Sequence, residues 1–136
     1  MKIKKFIWPI RVYYEDTDAG GVVFLANYIS FFERARTEML RAMGYEQDEL
    51  TVKEGIIFAV RSVQADYLSP ARFNELLQVS AEVTLAKKVS LTFEQLITRG
   101  DVVLCKSIIR IACLDANTLR PKAIPENLLE LLKNEH

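Results

Sequence analysis

Histidine is nearly missing from this 136-residue chain: the one copy is His136, the last residue, where chains are commonly frayed. Its scarcity removes Ser-His-Asp and Cys-His catalysis, together with any histidine-ligated zinc site. Whatever chemistry occurs must run on carboxylates, hydroxyls, lysine or backbone groups. Cysteine is scarce as well, with only Cys105 and Cys113. Their even spacing in one β-like segment puts them on one face but too far apart to be bridged, so they read as buried free thiols. Neither sign of charge prevails: 18 Lys plus Arg balance 18 Asp plus Glu, so no broad basic field points to nucleic acid. No apolar run is long enough to span a bilayer. The start, Met1-Lys2-Ile3-Lys4-Lys5-Phe6, is basic, but Trp8-Pro9 and Arg11 interrupt any apolar continuation. It therefore does not read as a signal peptide, and a cytosolic location is the expectation.

Against these absences stands one dense stretch. Tyr14-Glu15-Asp16-Thr17-Asp18-Ala19-Gly20-Gly21-Val22-Val23 joins an extended segment to a long amphipathic helix through an acidic turn with adjacent glycines. Ile7 to Tyr14 reads as a strand with Ile10, Val12 and Tyr14 on one face, Pro9 being tolerable near its start or at an edge. Asp16 to Gly21 is turn chemistry: acids that bond their own backbone, then glycines that accept positive φ. From Leu25 to Met43 the spacing predicts a helix. Tyr28, Phe32, Ala35, Met39 and Met43 form its apolar stripe, Phe31 and Ala42 widen it, and Gly44 stands where a C-terminal cap belongs.

Gln47 to Lys53 reads as a short helix or loop. Strands follow at Ile56–Leu68, Leu76–Leu85, Val89–Thr98 and Val102–Leu114, broken by Ser69-Pro70-Ala71-Arg72, Lys87-Lys88 and Arg99-Gly100-Asp101. The last strand is almost wholly apolar, which predicts cover on both faces. A short helix, Glu126–Leu132, closes the chain after Pro121 and Pro125. With half its residues apolar, 136 residues suffice for one domain, 1–136, with its own core. The order predicts an α+β fold: an antiparallel sheet wrapped around one long helix. The sheet face away from the helix must either stay polar or meet a second subunit, so a homo-oligomer is expected.

Asp16-Thr17-Asp18-Ala19-Gly20-Gly21 begins like a calcium loop, but the fifth position is Gly20 and the twelfth is Asn27, where such loops need oxygen donors. No metal or other cofactor is expected. Either aspartate can simply build the turn. The helix that follows supplies the functional alternative, because its first backbone N–H groups are unpaired and carry partial positive charge. Such an end can stabilise an oxyanion, while a carboxylate just upstream attacks an acyl carbonyl or activates water toward it. That pairing performs acyl transfer without histidine. Residue spacing alone does not choose between Asp16 and Asp18.

Arg11-Val12-Tyr13-Tyr14-Glu15-Asp16-Thr17-Asp18-Ala19-Gly20-Gly21-Val22-Val23, with Asn27-Tyr28 and Phe32-Glu33-Arg34-Ala35-Arg36-Thr37-Glu38-Met39-Leu40, closely resembles the YbgC family. Tyr67–Arg72, Ser90–Phe93 and Arg120–Pro125 extend the likeness over nearly the whole chain. The resemblance implies an acyl-CoA thioesterase of the hotdog fold, related to 4-hydroxybenzoyl-CoA thioesterase and associated with the Tol–Pal envelope system. It implies a cytoplasmic homo-oligomer, dimer or tetramer, peripheral to the inner membrane, with acyl carrier protein as a further partner. By position it selects Asp18 as nucleophile or general base and the Leu25 backbone N–H as the carbonyl-polarising donor. Tyr14 and Glu33 match motif positions and become substrate-binding candidates. Lys87 and Lys88, at the turn before Ser90, fall where the 4-hydroxybenzoyl-CoA branch places its basic phosphate contacts, with Ser90 a further substrate-binding candidate and Arg61 and Arg72 weaker cations. The family usually carries Tyr-His where this chain has Phe24-Leu25, so leucine replaces the motif histidine. Activity with altered rate or acyl preference is the expectation, and a non-hydrolytic acyl-binding or scaffold homologue is the competing one.

Overall fold

The computed structural model describes residues 5–133, so the basic start Met1–Lys4 and the lone His136 lie outside the described residues. Strand β1 is Phe6–Arg11, helix α1 is Leu25–Ala42 and α2 is Gln47–Glu54. Strands β2 (Ile56–Tyr67), β3 (Leu76–Ala86), β4 (Ser90–Arg99) and β5 (Val102–Asp115) follow, then helix α3, Glu126–Lys133. The strands form one five-stranded sheet in the order β1-β3-β4-β5-β2, every pair antiparallel. This is the α+β arrangement that the sequence predicts, with α1 against one face.

The core lies between α1 and that face. Tyr28, Phe31, Phe32, Ala35, Met39 and Leu40 of α1 are buried. Opposite them lie Leu77, Val79, Ala81 and Val83 of β3, with Leu91, Phe93 and Ile97 of β4. Each large apolar side chain withdrawn in this way contributes roughly 1.5–3 kcal/mol. Gly44, at φ +95, turns the chain out of the helix in a conformation that suits glycine.

Three expectations change. Tyr14 does not continue β1: the ladder ends at Arg11↔Leu76, and the Tyr13 N–H donates to Asp16 Oδ2 at 2.9 Å instead of to a strand. That bond curls Tyr14–Asp16 into a 3₁₀ turn and leaves Tyr14 75% exposed, whereas Ile10 and Val12 are buried as expected. The last strand is not covered on both faces. From Cys105 to Cys113 its odd-numbered residues are buried while Lys106 and Arg110 are exposed, because α1 covers only one side of the sheet. Ala42 is exposed rather than part of the apolar stripe. Cys105 and Cys113 are buried free thiols on one face, and burial pushes each thiol up to about 11.

Strand direction fixes what lies where. The end of β1, the start of β3 and the end of β2 all lie at one end of the strands, the end where the acidic turn is. Ala86, Ser90 and Ile56 mark the opposite end.

Candidate active site

Asp16 and Asp18 are separated only by Thr17 but have opposite environments. Asp16 is 3% exposed. Its Oδ2 accepts from the Tyr13 N–H at 2.9 Å, its Oδ1 from Asn27 Nδ2 at 3.0 Å, and its backbone oxygen from the Phe24 N–H at 3.0 Å. It ties the turn to the first turn of α1 and is fully occupied. Asp18 is exposed, and only its Oδ1 is engaged, accepting from the Gly20 N–H at 2.8 Å and the Val22 N–H at 3.3 Å. Among the described residues nothing donates to Oδ2, so two backbone bonds orient the carboxylate and leave one oxygen free to act.

The turn is a miniature hairpin. Thr17 bridges Val23, the Asp18 N–H donates to Val22 O at 2.9 Å, and Gly21 takes φ +79 at the bend. An added Cβ on Gly20 would come within 3.3 Å of Asp18 Oδ1, so glycine there lets the carboxylate fold back onto the loop backbone. The hairpin returns the chain directly to α1. Phe24 caps the helix with extended backbone and no side-chain cap bond. The Leu25 N–H has no hydrogen-bond partner among the described residues. A free carboxylate oxygen and a free helix-start donor therefore flank the same short loop.

Behind it, Val23 N–H donates to Ala71 O at 2.8 Å, and Ala71 N–H donates to Tyr28 Oη at 2.9 Å. The Tyr28 ring stacks on Tyr67 at 5.5 Å, and burial raises the Tyr28 phenol above its ordinary value. The 69–72 loop is thus anchored to the first turn of α1 and holds the back of the turn in place. Asn27 and Tyr28 were legible only as neighbours in the motif, and their anchoring roles depend on Asp16 and Ala71.

The other candidates are dispersed. Tyr14 stacks on Phe73 with ring centroids 3.8 Å apart, close in sequence to the turn. Glu33 is exposed on α1, its Oε2 accepting from Thr37 Oγ1 at 2.5 Å. Eight residues of helix separate it from Leu25, about 12 Å of rise. It borders a cavity of 100 Å³ with Arg36, Phe58 and Phe93. Lys87 and Lys88 are exposed at the β3–β4 turn, where the Lys87 N–H donates to Ser90 O at 2.8 Å. That turn lies at the far end of β3, a path of about 33 Å from the strand's start beside the acidic hairpin. Within one chain these lysines and Ser90 are not brought to Asp18. Arg61 and Arg72 are both exposed, and Arg72 bridges Val22 beside the hairpin. Among the described residues no three acidic, Cys or His side chains converge to hold a metal ion.

Sequence reasoning overlooked a buried polar pair. Gln95 is 0% exposed and donates Nε2–H to Phe32 O and Ser80 O, each at 3.0 Å. Its Oε1 accepts from Arg36 Nη1 at 2.9 Å, and burial lowers the Arg36 guanidinium to about 10. The signal was present: Gln95 shares the inward parity of Leu91, Phe93 and Ile97.

The thioesterase superfamily model matches residues 20–106, and two curated relatives settle the branch. The "Acyl-CoA thioesterase YbgC" of Haemophilus influenzae is 42% identical over 123 residues, 90% of each chain. The chain belongs to the YbgC family. The "Acyl-CoA thioester hydrolase YbgC" of an Escherichia coli strain is 40% identical over 134 residues, 98% of this chain and 99% of the relative. Among solved structures, a probable thioesterase from Bartonella henselae superposes with a TM-score of 0.85 at 31% identity, covering 89% of this chain and 99% of that one. These matches give the architecture its name, the hotdog fold, with α1 as the helix inside the wrap. In this YbgC-family chain the acidic hairpin directly precedes α1. The superfamily match begins at Gly20, just past the aspartates.

Proposed function

We propose that this chain hydrolyses acyl-CoA thioesters, with Asp18 supplying the reacting carboxylate and the Leu25 backbone N–H polarising the carbonyl. The observation that carries this reading is the division between the aspartates: Asp16 is consumed by the fold, while Asp18 is oriented through Oδ1 and free at Oδ2. A thioester whose carbonyl oxygen accepts from the Leu25 N–H presents its carbon to the hairpin. Charge developing on that oxygen meets the donor and the positive end of an 18-residue helix.

From there two routes conserve atoms and charge. Attack by Asp18 Oδ2 on the carbonyl carbon expels the CoA thiolate and forms an anhydride; water then cleaves it to the free acid and the Asp18 carboxylate, and the second water proton goes to the thiolate. Alternatively Asp18 takes a proton from water as the water attacks, and the expelled thiolate recovers that proton.

The working unit we propose is a homo-oligomer. The twelve-residue strand β2 is one of the two outermost strands of the sheet and, among the described residues, has no neighbour on its free edge. Val60, Val63, Tyr67 and Leu68 are exposed along and just beyond it, as are Phe24 and Leu25 at the start of α1. A second copy pairing along β2 covers this surface, and a sedimentation result of monomer at assay concentration would remove that part of the proposal. Lys87, Lys88, Ser90 and Glu33 enter as substrate contacts only across such an interface, given their distance from Asp18 in one chain. Kinship with the YbgC family is the sole support for placing the activity in the cytoplasm beside the Tol–Pal system and for testing acyl carrier protein thioesters. Recovery of the chain outside the cytoplasmic fraction would remove that assignment.

Leu25, standing where the family usually has histidine, favours one other reading: an acyl-binding homologue that does not turn over. Free-thiol release from short-chain, long-chain and aromatic acyl-CoAs and an acyl carrier protein thioester separates the two. Release by the wild type that is abolished in Asp18→Asn and retained in folded Asp16→Asn supports hydrolysis as proposed. No release from any ester by the folded protein leaves the acyl-binding reading.

A further inference from the structure

Tyr28 sits buried in the first turn of α1, and the chemistry assigned to Asp18 and Leu25 leaves it without a task. Its ring is fixed from two sides, stacked on Tyr67 at 5.5 Å and edge-on to Phe31 at 6.3 Å. The hydroxyl oxygen is therefore a rigid point on the helix, where it accepts from the Ala71 N–H at 2.9 Å. Ala71 is 0% exposed, and its N–H has no other partner among the described residues. Its carbonyl oxygen accepts from the Val23 N–H at 2.8 Å, and next to it Arg72 bridges Val22.

Val22 and Val23 are the returning limb of the acidic hairpin. Among the described residues, 71 and 72 are the only residues outside the hairpin with which the backbone of that limb pairs. The limb in turn grips Asp18 twice. Val22 O accepts from the Asp18 N–H at 2.9 Å, and the Val22 N–H donates to Asp18 Oδ1 at 3.3 Å. A continuous run of bonds thus leads from the helix to the carboxylate. The same turn of helix carries the Leu25 N–H, about 4.5 Å of rise before Tyr28. A carboxylate and an amide that act on one carbonyl must keep their spacing, because a displacement near 1 Å costs about 100-fold in rate. The 69–72 loop has other ties: the Ser69 N–H donates to Leu104 O at 3.2 Å and the Arg72 N–H to Glu75 Oε1 at 2.7 Å. Loss of the Tyr28 hydroxyl therefore shifts the loop without unfolding it, since a buried N–H left without an acceptor must move to find one. We propose that Tyr28 is a positioning residue that acts through Ala71 and Val22 to set where Asp18 Oδ2 stands relative to the Leu25 amide, a role that rests on the reading of Asp18 as the reacting carboxylate.

Tyr28→Phe keeps both ring contacts and deletes only the acceptor. With the acyl-CoA that the wild type hydrolyses best, kcat should fall about 10- to 100-fold while KM stays within about twofold. Val83→Ala is the structural control: it trims a buried residue of β3 toward the end of the strand away from the hairpin, and should lower Tm while kcat holds. A second readout needs no turnover. The Gly20 and Val22 N–H groups both donate to Asp18 Oδ1, so their NMR resonances report the carboxylate directly. Both should shift in Tyr28→Phe, and the Val23 amide should exchange with solvent about tenfold faster or more; neither change should occur in Val83→Ala. An unchanged kcat in folded Tyr28→Phe overturns the proposal, as does an equal fall in Val83→Ala. A rise in KM with kcat kept would put Tyr28 in substrate binding and also overturns it. Unmoved Gly20 and Val22 resonances overturn it whatever the rates. If no ester is hydrolysed by the wild type yet those resonances move in Tyr28→Phe, the hydrolytic reading falls and the link from Tyr28 to the Asp18 carboxylate stands.

Discussion

Replacing Leu25 with proline deletes one backbone N–H at a position where the fold tolerates the change. Leu25 is the first residue of α1, where proline's fixed φ suits the helix and its missing donor is one of the unpaired ones. The preceding residue must be extended, and Phe24 already is, at φ −56 and ψ 137. The deleted N–H makes no hydrogen bond among the described residues, so folding loses none there. Leu25 is 58% exposed in the single chain, so removing its side chain costs the fold of that chain little. Stability should therefore change by no more than about 0.5 kcal/mol, the range of a neutral surface substitution. Catalysis should lose the donor facing the developing oxyanion, about 100- to 1000-fold in kcat, or about 2.7–4 kcal/mol. Leu25→Ala keeps the N–H and isolates the side-chain contribution. The assay is thiol release with the best ester, alongside thermal unfolding of each variant. Equal kcat for Leu25→Pro and Leu25→Ala, both folded, would refute the assignment of that amide to the carbonyl.

Leu25→His should change kcat/KM by less than about tenfold if the backbone donor carries the polarising task, as the oxyanion-donor magnitude implies; a larger gain would assign the imidazole a direct role. Asp16→Asn turns one acceptor of a buried carboxylate into a donor facing Tyr13 N–H or Asn27 Nδ2, costing about 1.5–3 kcal/mol. Its Tm should fall, while that of Asp18→Asn should hold within a degree or two of the wild type; the reverse order would exchange the roles of the two aspartates. Gln95→Leu leaves the Arg36 guanidinium buried without its partner and should cost about 3 kcal/mol in urea unfolding, whereas a loss under 1 kcal/mol would mean that Arg36 finds water. Burial holds both thiols at about 11 against an ordinary 9. Since the folded-state value is the higher, their contribution is complete below pH 9 and is lost as pH rises toward 11. The urea midpoint of the wild type should fall more steeply across that window than that of Cys113→Ala, and parallel slopes would discount the thiols.

Local pattern carried most of the fold. The helical stripe from Tyr28 to Met39 and the period-two parity of Leu77–Val83 and Leu91–Ile97 report burial on one face, and every expected strand after the helix is present within two residues. Tyr14 broke the pattern because a side chain competed for the backbone: Asp16 took the Tyr13 N–H that a longer strand would have used. The aspartates were inseparable by inspection, since Asp16 is buried by an asparagine eleven residues downstream. The resemblance selected Asp18, and the hydrogen bonds supply a physical reason for that choice. Lys87 and Lys88 look close to a site in a motif comparison, yet strand direction carries them to the opposite end of the sheet. Arg36 reads as a charged helix residue until its partner, 59 positions away, is known.

Gln95 has a consequence beyond stability. By gripping the Phe32 carbonyl it acts as a dowel between helix and sheet, one side chain that sets how far along its own axis α1 sits. Phe32 is seven residues from Leu25, about 10 Å of helix. A slip of one residue would shift the Leu25 amide by about 1.5 Å and swing it through about 100°. Displacements of that size cost roughly 100-fold in rate when they misplace a reacting group. On the proposed reading, the alignment of the reacting end is therefore machined in the middle of the molecule, by a fully buried residue.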